Sequence, residues 1–300
     1  CEAAASSEAA QAAASLPPGG DAAAAPLVEL RGAGLRYATR RGLWGRVNTD
    51  AVSELSFKVQ PGEFVGIVGE SGSGKTSVAR LIVGAETVTS GQLLIAGQDR
   101  AQAPAAVQRL TREQVQMVFQ DPHSALNPRR TVLRLLTQAY EVEPLPDVAP
   151  RPPREERALA LARDVGLPAD GLARFPGQLS GGQKQRVNIG RALCVMPRLL
   201  VADEIVSGLD VSVQAQILNL LLALGREHGI ALLLISHDLS VVRYLCARVA
   251  VMQAGRIVEE GPTEEVFADP RHPYTRLLLA SVPPADPGAA WPPPLHAGTP

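Results

Sequence analysis

The chain predicts an α/β fold with a largely parallel sheet and a helical lobe inserted part-way along it, on three observations. Short apolar runs of strand length alternate with stretches of helical composition through most of the 300 residues, the order of layered α/β domains. Several runs, among them "RLLVADE" at 198–204 and "ALLLIS" at 231–236, are continuously apolar, as in strands covered on both faces. From Asp121 to about Gly190 the strand signal lapses, and prolines and helix formers take over.

Residues 1–26, "CEAAASSEAAQAAASLPPGGDAAAAP", hold little to bury and read as a mobile linker. "AVSELSFKV" at 51–59 sets Val52, Leu55, Phe57 and Val59 in a roughly period-2 strand. "EFVGIVG" at 63–69 is a short buried strand ending on glycine, and a helix follows at about 74–84. A strand at 114–120 precedes the lobe, in which helices fall at about 154–165 and 180–195. Strands at 198–204, 231–236 and 248–253 then alternate with helices at 211–227 and 238–246. The core domain is expected over 27–255, with the lobe at about 121–190, an extension over 256–283 and a Pro-rich mobile tail over 284–300.

Composition narrows the function. A net charge of −1 supplies no global basic field for nucleic acid or anionic lipid. Cys1, Cys194 and Cys246 lack metal-ligand or paired spacing, which reads as a reduced chain. No apolar run reaches the roughly 18 residues of a membrane helix. The chain opens on Cys1 rather than Met, which reads as a cut or processed start.

Two segments look built to grip phosphate. "GESGSGKT" at 69–76 follows a predicted strand and opens a helix, the context that G-x-x-x-x-G-K-[ST] requires. Gly69, Gly72 and Gly74 allow a tight loop whose N–H groups, through Glu70, Ser71, Ser73 and on to Ser77, can face phosphate oxygens. Lys75 would set an ammonium on the β/γ-phosphates and Thr76 a hydroxyl on Mg²⁺. At the end of its strand Asp203 would hold Mg²⁺, and Glu204 beside it would orient and polarise the attacking water. The second segment, "QLSGGQKQRVNIGRAL" at 178–193, opens a helix on Ser180, Gly181 and Gly182, a positive terminus suited to an anion.

"LSGGQKQR" at 179–186 resembles the signature of ABC-type ATPases, and the order of motifs agrees over about Leu27 to Pro283. The resemblance implies a mixed-sheet nucleotide-binding domain that uses ATP and Mg²⁺. It also implies that Ser180, Gly181, Gly182 and Gln183 reach the ATP held by a second such domain, in a head-to-tail pair. On the same resemblance Tyr37 stacks on adenine, Gln120 senses Mg²⁺ and γ-phosphate, Ser207 to Asp210 cross the dimer interface, and His237 contacts γ-phosphate alongside the catalytic Lys75 and Glu204. Three residues depart from the pattern: Ile205 where proline is usual, and Asn188 and Gly190 where alanines are usual. Glycine within a helix costs about 1 kcal/mol relative to alanine.

"FQDPHSALNPRRTV" at 119–132, "DVSVQAQILNLL" at 210–221 and "GRIVEEGPTEEVFADPRHPYTRLLLASVP" at 255–283 are similar to ATP-binding subunits of oligopeptide and dipeptide importers, a resemblance shared with nickel and glutathione importers. It implies two membrane permease subunits, an extracytoplasmic solute-binding protein acting indirectly, no nucleic acid, and a peripheral position on the cytoplasmic face of the cell membrane. Such importers need two ATPase domains, sometimes fused in one polypeptide, so the Ala-rich head and the missing Met suggest the second half of a tandem protein. A soluble ATPase acting on nucleic acid or the ribosome would want a zinc module, a long coiled coil or a basic arm, and the sequence displays none. A non-hydrolytic partner domain would want a vacant catalytic position, and each is filled.

Overall fold

The continuous apolar runs assemble into a six-stranded sheet whose two faces are both covered, which is why they do not alternate in polarity. The computed structural model describes residues 25–41, 45–142 and 151–281. All but the last two residues of the expected linker, and the whole of the expected tail, lie outside them.

The described chain opens with a long hairpin, β1 (Val28–Arg41) and β2 (Gly45–Val59). β3 (Phe64–Val68) leads through the glycine-rich loop into α1 (Lys75–Val83). Next come β4 (Ser90–Ile95), β5 (Gln98–Asp99), α2 (Ala105–Gln114) and β6 (Val115–Val118). Between β6 and β7 (Leu199–Asp203) the described residues form no strand, only α3 (Pro122–Ala125), α4 (Val132–Leu136), α5 (Arg154–Asp164), α6 (Gly181–Ala192) and short 3₁₀ turns. After β7 come α7 (Val211–His228), β8 (Ala231–Ile235), α8 (Leu239–Leu245), β9 (Arg248–Gln253), β10 (Arg256–Pro262), α9 (Thr263–Ala268) and α10 (Pro273–Ala280).

The six-stranded sheet runs β10-β9-β3-β8-β7-β6. Its pairs are parallel except for β9 with β10. A second sheet, β2-β1-β4-β5, is antiparallel. The largely parallel expectation therefore holds for the central sheet and misses the other one. Period-2 alternation divides the core: Val65, Ile67, Val201, Leu233 and Ala250 face the antiparallel sheet and α1. Val68, Leu200, Leu232, Leu234 and Val249 join the opposite cluster, which also takes Leu135, Leu161, Val187 and Ile189 from the lobe. The lobe thus shares its core with one face of the sheet. The expected boundary at residue 255 falls inside the β9–β10 hairpin, so the extension begins as an edge strand of the central sheet.

Arg248 at the start of β9 ties the layers together. Its guanidinium donates to Glu63 Oε1 at 2.7 Å, to Glu63 Oε2 at 3.0 Å and to the Lys58 carbonyl at 2.6 Å. It also pairs with Glu260 and lies 5.2 Å from the Phe57 ring centre. Arg248→Ala would leave the Glu63 carboxylate nearly buried without its cation. It should lower unfolding stability by about 3 kcal/mol, read by denaturant titration.

Candidate functional site

The C-terminal ends of β3, β7 and β8 converge, and the loop after β3 closes over them. Gly69, Gly72 and Gly74 all have positive φ, at 150°, 83° and 103°. A Cβ on Gly69 would overlap the Met252 carbonyl oxygen, and one on Gly74 would overlap that of Ala51. At Gly69 and Gly74 the loop is therefore pressed against β9 and β2 with no room for a side chain, whereas a Cβ on Gly72 would meet open space. Gly74 leads into α1 from the left-handed region, and Lys75 is the helix's first residue. Lys75 is 6% exposed, and its Nζ donates to the Gly69 and Glu70 carbonyls, both at 2.7 Å. Burial lowers the Lys75 pKa, opposed by the carboxylates of Glu204, Asp203 and Glu70.

Asp203 ends β7 and is 4% exposed. Burial pushes its carboxyl pKa upward, while a hydrogen bond with the Thr76 hydroxyl pulls it down. The pair offers hard oxygen donors of the kind Mg²⁺ prefers. No group of three or more His, Cys, Asp or Glu side chains among the described residues could hold a metal. A cation on Thr76 and Asp203 would thus depend on phosphate and water oxygens, as is usual for Mg²⁺.

Glu204 follows with φ 48°, a left-handed conformation costly for a non-glycine residue and of the kind that gathers at active sites. Its N–H donates to the Ile235 carbonyl at 2.9 Å, which pins it to the end of β8. Its carboxylate is held on both sides. Gln120 Nε2 donates to Oε2 at 2.7 Å, and His237 Nδ1 lies 3.0 Å from Oε1. Residues from three separate segments, singled out by motif alone, therefore meet at one carboxylate.

Ser180 and its neighbours stand elsewhere. Ser180 caps α6 through a reciprocal box: its Oγ accepts from the Gln183 N–H at 3.3 Å, and the Gln183 side chain accepts from the Ser180 N–H at 3.0 Å. The helix start packs on the start of α7, where a Cβ on Gly182 would come within 2.7 Å of Val213. Asp210 is the residue that precedes α7, so Ser180 and Asp210 lie in one neighbourhood. Among the described residues no hydrogen bond joins Ser180 to the loop at 69–77. Tyr37 lies on β1 opposite Thr49, half-buried, its hydroxyl shielded and without a hydrogen-bond partner among the described residues.

Two of the three departures, Asn188 and Gly190, acquire physical reasons, and nothing in the structure explains isoleucine rather than proline at 205. Asn188 is fully buried; its Nδ2 donates to the Phe119 carbonyl at 2.8 Å and its Oδ1 accepts from Arg191 at 3.0 Å. This ties α6 to the residue before Gln120. The Ile205 carbonyl accepts from the buried Gln185 amide at 2.8 Å, joining α6 to the residue after Glu204. At Gly190 a Cβ would meet Leu136 Cδ2 at 2.5 Å, so glycine permits α4 to pack closely on α6. Gly190→Val should overpack this contact and cost about 1–3 kcal/mol of stability, measured by denaturant titration. Sequence reasoning treated Asn188 as a departure and passed over Gln185; their partners lie 69 and 20 residues away, beyond local pattern.

Comparison with known proteins decides the family. The model for ABC transporters matches residues 52–207. The chain belongs to the ABC transporter family. A second model, the oligopeptide/dipeptide transporter C-terminal region, matches residues 258–298. This ABC ATPase is 48% identical over 250 residues to "Probable peptide ABC transporter ATP-binding protein y4tS" of Sinorhizobium fredii, covering 82% of this chain and 70% of that protein. It is 43% identical over 262 residues to the oligopeptide transport ATP-binding protein OppF of Lactococcus lactis, covering 87% of this chain and 81% of that one. It is 44% identical to the glutathione import ATP-binding protein GsiA of Pectobacterium atrosepticum, covering 88% of this chain but 42% of that protein. Its fold matches the dimeric post-hydrolysis state of the ATP-binding cassette MJ0796 bound to ADP and Pi. There the TM-score is 0.67 at 28% identity, over 79% of this chain and 98% of that one. As a member of this family the chain binds and hydrolyses ATP. No helix among the described residues is long and apolar enough to cross a membrane.

Proposed function

We propose that this ABC ATPase powers uptake of peptides of the oligopeptide or dipeptide class through membrane permease subunits. The observation that carries the reading is the Glu204 carboxylate flanked by Gln120 and His237, in a chain whose residues 258–298 match the oligopeptide/dipeptide transporter C-terminal region. The sequence similarity to OppF supports the same solute class.

The loop from Gly69 to Ser77 would cradle the triphosphate, with Lys75 turned from the Gly69 and Glu70 carbonyls toward the β/γ-phosphates. Tyr37 would offer its partly open ring to adenine. Thr76 and Asp203, with the Gln120 side-chain oxygen, would hold Mg²⁺, which when bound neutralises charge on the phosphate oxygens. Glu204 would accept a proton from the attacking water, and His237 would turn toward the γ-phosphate. Ser180, Gly181, Gly182 and Gln183 would complete the site of a second ABC domain, with Asp210 at the same interface. A helix terminus contributes only about 0.3–2 kcal/mol toward an anion. Lys75, Mg²⁺ and the loop would therefore supply most of the affinity, and the partner's signature would close the cage.

The Asn188 bond to the Phe119 carbonyl supports a route from the site to the lobe, because movement of Gln120 would pull on α6. The assembly would comprise a second ABC domain, two permease subunits and an extracytoplasmic solute-binding protein, with this chain on the cytoplasmic face of the membrane. The test is uptake into vesicles holding the reconstituted assembly and ATP. Labelled α-linked di- to pentapeptides should accumulate over nickel and over the γ-linked tripeptide glutathione, whereas accumulation of either of the latter in preference to α-linked peptides would reject the oligopeptide or dipeptide class.

A further inference from the structure

Within the oligopeptide-type C-terminal segment, a side chain of α10 reaches the phosphate loop. Tyr274, second residue of α10, is 6% exposed, and its hydroxyl oxygen accepts a hydrogen bond from the Glu70 N–H at 2.9 Å. The carbonyl of that same peptide unit, Gly69 O, accepts from Lys75 Nζ at 2.7 Å. One peptide plane at the mouth of the loop is thus held at both ends, by the lysine on one side and by α10 on the other.

Tyr274 is itself firmly placed. Glu259 on β10 accepts the Arg271 N–H at 2.8 Å and the His272 N–H at 3.0 Å, which fixes the chain entering α10. His272 Nδ1 then caps the helix by accepting the Tyr274 N–H at 3.2 Å. The path from edge strand to loop runs Glu259, helix start, Tyr274, Glu70. Glu70 itself is exposed. A loop that binds phosphate through backbone N–H groups depends on the orientation of its peptide planes, and preorganising a loop raises affinity by lowering the ordering cost on binding.

We propose that Tyr274 is a positioning residue for nucleotide: it holds the Gly69–Glu70 peptide so that the loop meets the triphosphate already shaped, and so makes the C-terminal segment a determinant of ATP affinity. The proposal rests on the reading of residues 69–77 as the phosphate loop.

The test is Tyr274→Phe in the full chain assembled with its partner domain and permease, with ATP–Mg²⁺ as the probe. Loss of one hydroxyl acceptor should raise the KM for ATP about five- to tenfold with kcat within about twofold. The melting temperature without nucleotide should stay at the wild-type value, while the rise on adding ATP should shrink. Glu259→Ala should raise KM in the same direction, and the double variant should be no worse than Tyr274→Phe alone, because both act through one contact. An unchanged KM in Tyr274→Phe would overturn the proposal. So would a raised KM accompanied by an equal fall in nucleotide-free stability, which a merely structural tyrosine would give. Lys75→Ala separates the two levels: if it kept wild-type ATP affinity, the phosphate-loop reading itself would fail, whatever Tyr274→Phe did.

Discussion

Glu204→Gln should cut ATP turnover by about 10²–10⁴-fold while leaving ATP binding in place, because general-base positioning contributes on that scale. The substitution preserves shape and removes the carboxylate that sits between Gln120 Nε2 and His237 Nδ1. An amide there cannot accept from both neighbours with two oxygens, so one of the two contacts must be lost or inverted. The water would then lack its proton acceptor, and ATP would persist between the two domains. Rapid-quench hydrolysis and size-exclusion chromatography with ATP–Mg²⁺ check both halves: turnover should collapse and an ATP-dependent two-domain species should accumulate. Hydrolysis at the wild-type rate would remove Glu204 from the role of base.

Lys75→Ala should weaken ATP binding by about 10- to 100-fold, the range of a lost charge-assisted hydrogen bond. The side chain is nearly buried and folded onto the Gly69 and Glu70 carbonyls, so its ammonium already stands at the mouth of the loop. Burial destabilises that charge, and the nearby carboxylates of Glu204, Asp203 and Glu70 offset part of the cost. A triphosphate would offer a stronger partner than the two carbonyls. Without Lys75 the loop would lose both its phosphate contact and the tie to the Gly69 and Glu70 carbonyls. Equilibrium titration with ATP and with ADP should report the loss for both nucleotides; retained affinity would assign the phosphates to another site.

What could be read before the fold was known follows the range of the forces involved. The parallel strands were legible because burial on both faces demands unbroken apolar runs, and "ALLLI" and "LLVAD" have no other use. The glycine-rich loop at 69–76 and the helix after it were legible because its glycines and lysine are adjacent in sequence and each has a local reason. The antiparallel sheet was largely missed. β1 is interrupted by Gly32 and Gly34 and changes register between Leu30 and Ala33, which breaks the period-2 pattern. β10 is only half-buried at a sheet edge, so little apolar pattern marks it. Tyr274 was illegible for a different reason: its partner lies 204 residues away, and nothing in "HPYT" indicates that its hydroxyl meets the loop. Gly190, a weak helix residue by propensity, makes sense only once Leu136 is seen against it.

The account turns on two phosphate-gripping devices in one chain that serve different ATP molecules. The most direct measurement is a structure of the intact assembly carrying Glu204→Gln and saturated with ATP–Mg²⁺. The account predicts that each γ-phosphate lies against the loop of one domain and against the Ser180–Gly182 helix start of the other. Nucleotide bound with no Ser180 near it, or with Ser180 supplied by the same chain as the loop, would contradict it.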